Sequence, residues 1–225
     1  MKYRPQIPFA IIFWITSFVN CIGIASDIPV LHYITKPLLI PLLVLLLLFT
    51  TTNAPRKKLL LIGLVFSWLG DLFLLFEEKN ALFFIFGLVF FLTTHIFYII
   101  YFLTIQSPHI SFLKKQPWLI LLVTGYGILL VWFLYPHLKE LKIPVIVYAM
   151  VICTMLLCSI HIFLKVNRPA NSLYVTGAAF FVLSDSLLAV NKFYQPFAYA
   201  GVFIMLTYCA AQFCIVKGFI KTTAP

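Results

Sequence analysis

Gly177-Ala-Ala-Phe-Phe-Val-Leu-Ser-Asp185-Ser-Leu-Leu-Ala189 is an apolar run of helical length with a carboxylate near its far end. An ionised Asp in hydrocarbon costs ~2.5–3.5 kcal/mol even on lenient insertion scales, so its default reading is functional. The chain carries the pattern twice. Gly63-Leu-Val-Phe66-Ser-Trp-Leu69-Gly-Asp71-Leu-Phe-Leu74 matches Gly177, Phe180, Leu183, Asp185 and Leu188 at a constant offset of 114. Two helices are predicted to present the same Gly-x-x-Phe-x-x-Leu-x-Asp-x-x-Leu face.

The composition around these segments decides the class. Of 225 residues, 63% are hydrophobic and 10% charged, with a mean hydropathy of +1.08. A soluble domain must wet most of its exterior and needs far less apolar surface. The expected fold is an all-α integral membrane protein, a single domain over residues 1–225 with eight transmembrane helices. The net charge of +10 is no nucleic-acid footprint, because the basic residues stand singly or in small clusters between apolar runs. The five cysteines fall inside apolar runs and read as free buried thiols.

The predicted spans are Ile7–Ile24, Leu31–Thr50, Leu59–Phe76, Ala81–Ile105, Pro117–Leu134, Pro144–Leu164, Ala170–Val190 and Pro196–Phe219. Pro37 and Pro41 interrupt the second, where neighbours are expected to satisfy the freed carbonyls. The termini and even-numbered loops hold eleven of the sixteen basic residues and none of the six acidic ones. That asymmetry predicts both termini cytoplasmic. The third and seventh spans then run outward, four spans apart, which suggests a four-plus-four parallel duplication.

Orientation fixes depth. Asp71 and Asp185 each lie five residues before a predicted outer end, Lys36 five residues into the second span, and Tyr148 four into the sixth. These four are expected at one level, where a lysine and two carboxylates can share charge. His95, Tyr98, Tyr208 and Gln212 are expected some 10–15 Å deeper, not in contact with one small atom at the same time as the carboxylates but able to line the same cavity further down. Glu77 and Glu78 read as a solvated turn, His32 as an interfacial residue, and Trp68 as a packing or interface anchor.

Several short motifs, in order, resemble the YhhN family: Lys36-Pro37-Leu38; Gly70-Asp71; Gly87 with Phe91, His95 and Tyr98; Gly177-Ala178 with Phe181, Ser184-Asp185 and Ala189; and Tyr208 with Ala211-Gln212. The resemblance spans roughly Lys36 to Gln212. It implies a multi-pass membrane hydrolase that cleaves the vinyl ether bond of lysoplasmalogens, taking a lysophospholipid from the bilayer of a bacterial inner membrane or an equivalent endomembrane.

That chemistry suits the residues. A vinyl ether is protonated at its β-carbon, water captures the oxocarbenium ion, and the hemiacetal collapses to aldehyde and alcohol. One protonated acid and one group that stabilises the cation or activates water are wanted, the logic of two-carboxylate glycosidases. Asp71 and Asp185 are the expected catalytic pair. Asp185 is assigned the acid's part because Ser184 and Ser186 flank it as candidate donors. Lys36, His95, Tyr98, Tyr148, Ser184, Tyr208 and Gln212 are expected to bind substrate or tune the pair, with Lys36 a candidate for the headgroup phosphate. No cofactor and no metal are expected, since His95 alone of the histidines lies deep and no His-x-x-x-His spacing occurs. Two other readings share these residues: a proton-coupled transporter, and an intramembrane aspartyl protease, whose Gly-x-Gly-Asp is half matched by Leu69-Gly70-Asp71.

Overall fold

The computed structural model describes residues 6–50 and 56–223. Lys2, Arg4 and most of the predicted second loop lie outside the described residues. Eight long helices follow one another: α1 (Gln6–Ala25), α2 (Pro29–Thr50), α3 (Lys57–Leu74), α4 (Ala81–Leu103), α5 (Trp118–Leu134), α6 (Lys142–His161), α7 (Arg168–Ala189) and α8 (Ala200–Thr223). Among the described residues there is no strand. A single turn at Phe112–Lys115, two 3₁₀ turns and a π turn at Val190–Tyr194 occupy the connections.

Seven of the eight are long and apolar enough to cross a membrane. The exception is α3, which contains Lys57, Lys58 and Asp71. Eight helices therefore stand where eight spans were expected, and seven of them have the composition of a span.

The helices bury narrow stripes at helical spacing. On α3 the buried positions are Leu60, Gly63, Leu64, Ser67, Gly70 and Asp71, three and four residues apart. Of the repeated positions, Gly63, Asp71 and Gly177 lie on buried faces, while Phe66, Leu69, Phe180 and Leu183 turn to the flanks. The glycines set helix spacing. A Cβ on Gly177 would lie 3.0 Å from the Ala211 carbonyl oxygen and 2.8 Å from Ile215, and one on Gly63 would lie 2.6 Å from the Tyr98 ring. Small residues here let α3 close on α4, and α7 on α8.

The two prolines inside α2 leave it continuous from Pro29 to Thr50. Pro41 has no N–H to give the Pro37 carbonyl four residues earlier. The indole N–H of Trp68, on α3, donates to that carbonyl at 2.9 Å. Trp68 is thus a hydrogen-bonded clip between α2 and α3 as well as a packing residue. Of the prolines expected to open spans, Pro117 immediately precedes α5 and Pro144 lies in the first turn of α6, but Pro196 lies outside α8, which starts at Ala200.

Candidate active site

A cavity of about 380 Å³ opens at the end of the bundle where α3 and α7 finish and α4 and α8 begin. Lys36, Asp71, Asp185, Ser184 and Tyr208 all line it, with His32 beside Lys36 and with Asp27, Glu77 and Glu78 also in its wall. Of the four residues expected at one level, Lys36 and both carboxylates line this cavity, and Tyr148 does not. Glu77 and Glu78 are not a purely solvated turn: both line the cavity, and Glu77 Oε2 accepts from Lys192 Nζ at 2.9 Å.

Asp71 is 2% exposed. Its Oδ2 accepts from the Tyr208 hydroxyl at 2.6 Å, and that hydroxyl lies 2.8 Å from Ser67 Oγ. Gln212 Nε2 donates to Ser67 Oγ at 2.5 Å, and Tyr98 donates to Gln212 Oε1 at 2.8 Å. An amide nitrogen can only donate, so the direction of the chain is determined. Ser67 accepts from Gln212 and passes its own proton to Tyr208, which spends its proton on Asp71. Four buried side chains from three helices end on one carboxylate oxygen.

Asp185 is held differently. Its Oδ2 accepts from the Tyr148 hydroxyl at 2.6 Å, and His95 Nε2 lies 3.1 Å away. His95 is fully buried and its Nδ1 has no hydrogen-bond partner, so the ring proton belongs on Nε2, facing Asp185. The second helix of each hairpin thus serves the other hairpin's carboxylate: α4 reaches Asp185, and α8 reaches Asp71.

These contacts overturn the two-level expectation. His95 and Tyr208 touch the carboxylates directly, and Gln212 and Tyr98 stand two and three hydrogen bonds behind Tyr208. The reason is side-chain direction. Cα–Cβ bonds tilt toward a helix's N-terminus, so tyrosine and histidine on α4 and α8 lean toward the cavity end. The aspartates, on helices of opposite direction, lean down to meet them. In addition α8 starts four residues later than expected, which places Tyr208 nearer the cavity.

Neither flanking serine bonds Asp185. Ser184 Oγ donates to the Ile204 carbonyl at 3.0 Å, and Ser186 Oγ to the Val182 carbonyl at 2.6 Å. Adjacent helical positions point about 100° apart, so neighbours in sequence do not share a partner. The stated ground for making Asp185 the acid is therefore removed.

Two participants were not singled out from sequence. Ser67 sits one turn before Asp71 on the same stripe; that spacing was its one signal. His32 sits one turn before Lys36, and its Nδ1 faces Asn20 Nδ2 at 3.1 Å, which leaves the ring proton on Nε2. Lys36 itself is 7% exposed, and among the described residues its ammonium makes no hydrogen bond or ion pair. Asp71 and Glu77 line the same cavity. Among the described residues no three His, Cys, Asp or Glu side chains form a metal-binding set. All five cysteines are free, four of them buried.

Asp185 also borders a second, apolar crevice of about 50 Å³ between α5, α6 and α7, into which Tyr148 faces. The fold and this cavity define a class: a helical, multi-pass membrane protein with two carboxyl groups and a lysine lining a cavity at one end of its bundle. The chain belongs to the YhhN family, whose sequence profile matches residues 31–219. It is similar to lysoplasmalogenase TMEM86A of Bos taurus, 29% identical over 175 residues that cover 76% of this chain and 69% of the relative. It is likewise similar to human lysoplasmalogenase TMEM86A, 29% identical over 178 residues with the same coverage, and to human lysoplasmalogenase TMEM86B, 30% identical over 169 residues, 75% of this chain and 66% of the relative. No solved structure matches the chain.

Proposed function

We propose that this protein is a membrane hydrolase of the vinyl ether bond in lysoplasmalogens, releasing a fatty aldehyde and a glycerophospho-alcohol. The observation that carries this reading is the pair Asp71 and Asp185 in one cavity with an unpartnered buried lysine. The reaction needs a proton donor and a group that stabilises the cation or activates water, which two carboxyl groups can supply, and a lysine suits the substrate's one phosphate. The names of the family relatives supply the bond that is cleaved.

The roles follow the order of groups along the substrate. Its phosphate sits at Lys36 with the His32 Nε2–H as a second donor, and the rim carboxylates Asp27, Glu77 and Glu78 suit a cationic headgroup. The ether oxygen and first alkenyl carbon then lie at Asp71, where the donor chain from Tyr98 keeps Oδ2 an acceptor. Asp71 stabilises the oxocarbenium ion and orients the attacking water. The β-carbon, one bond further along, lies toward Asp185, the carboxyl that also borders the apolar crevice. Asp185 gives its proton to that carbon from Oδ1, while Tyr148 and His95 hold Oδ2. The proton order is thus the one expected from sequence, on different grounds. Both chain ends on the cytoplasmic side, and a repeat relating α3–α4 to α7–α8, complete the proposal; the reciprocal service of the two carboxylates supports the repeat.

Purified protein given a lysoplasmalogen is expected to release aldehyde. Substrate flux across liposomes with no aldehyde would favour the transporter reading, and cleavage of a membrane peptide the protease reading. A narrower test concerns Ser67. Ser67→Ala removes the link between Gln212 and Tyr208 and leaves both short of a partner, a loss of about 1 kcal/mol. Aldehyde release is expected to fall about three- to tenfold, with the protein still folded by circular dichroism.

A further inference from the structure

The crevice beside Asp185 has no part in the chemistry above, yet it is contiguous with the reacting centre. Gly127 and Leu130 of α5, Val145, Ala149 and Ile152 of α6, and Val182 of α7 form its apolar walls. On its far side α5 is the least buried of the apolar helices and exposes Leu121, Ile128, Leu129 and Trp132. Such a face belongs against hydrocarbon, so the crevice lies one thin helix from the lipid. A hydrogen bond from the Tyr126 hydroxyl to Ser186 Oγ, 2.8 Å, ties α5 to α7 across it.

From these features we infer that the crevice is the subsite for the substrate's hydrocarbon chain, with α5 as its lipid-side wall; the inference rests on the function proposed above. A single-chain lipid with its phosphate at Lys36 and its double bond at Asp185 must send the rest of its chain onward. The main cavity is walled by both kinds of side chain, Phe91, Ile204 and Met205 as well as Asp27, Glu77 and Glu78, whereas the crevice is apolar nearly throughout. The crevice continues from Asp185 between apolar walls. The chain leaves the polar cavity there and runs between α5 and α6 toward the bilayer.

At about 50 Å³ the crevice is small enough for one added side chain to fill it. Ala149→Phe and Gly127→Leu are assayed on two lysophospholipids alike in headgroup, one with a hexadecenyl and one with a butenyl chain. The ratio of kcat/KM, long chain over short, is expected to fall at least tenfold in each variant. Because the ratio is taken within one preparation, partial misfolding cancels. Aldehyde from both substrates at an unchanged ratio would overturn the chain subsite and leave the hydrolase reading standing. If the wild-type protein releases no aldehyde from either, the hydrolase reading fails. The subsite is then judged by a lysophospholipid with a photoreactive group near the chain's first carbons. Label on residues 126–134 or 145–153 supports it, and label elsewhere overturns it.

Discussion

Asp71→Asn and Asp185→Asn should each remain folded and each lose about 10²–10⁴-fold in aldehyde release. The expectation of an intact fold comes from the hydrogen bonds. At both sites the structure asks Oδ2 only to accept: from Tyr208 at Asp71, and from Tyr148 and His95 at Asp185. An asparagine carbonyl accepts those bonds equally well and turns its amide to the cavity, so neither network is orphaned. What is lost is an anion beside the oxocarbenium ion at Asp71 and a transferable proton at Asp185. Since both groups serve one transition state, the double variant should be little worse than the weaker single. Either single variant retaining near wild-type activity would end the two-carboxylate mechanism. Thermal melting in detergent checks the fold independently.

How far the sequence foretold this site depends on what each residue's neighbours could reveal. That Lys36, Asp71 and Asp185 line one cavity was legible because rise per residue is constant and apolar runs mark both boundaries. The stripe on α3 was legible in Gly63 and Asp71, since glycine and an intramembrane carboxylate carry meaning at any position. Ser67 was not, because a mid-helix serine that bonds backward to its own helix reads the same as one that bridges two others. His95 and Tyr208 were placed on the right helices but too deep, because counting Cα positions ignores long side chains that lean toward the N-terminus. Ser184 and Ser186 misled for the converse reason: nearness in sequence was taken for nearness on a helix face. The Trp68 bond to the Pro37 carbonyl joins two spans, and nothing in either span alone signals it.

Lys36→Met is expected to make the protein more stable and less active at once. A lysine held at 7% exposure with no hydrogen bond or ion pair among the described residues is a standing cost. Removing a largely buried charge that lines the cavity with Asp71 and Glu77 relieves part of its desolvation, on the order of 1 kcal/mol net of what Asp71 loses. A net gain in melting temperature is the expected sign. Activity should move the other way. If the ammonium receives the headgroup phosphate, its removal leaves that anion desolvated against an apolar side chain, which costs about 2 kcal/mol or more, roughly thirtyfold in kcat/KM. The loss should fall chiefly on KM. The discriminating substrate is an alkenylglycerol, which has the vinyl ether but no phosphate. On it the variant should lie within about threefold of wild type, because the group that Lys36 would bind is absent. Equal losses on both substrates would mean that the lysine serves Asp71 rather than the lipid, and the phosphate would have to be sought nearer His32. A lower melting temperature with both activities lost would identify Lys36 as a structural counter-charge, and the cavity would then lack the cation that a phospholipid requires.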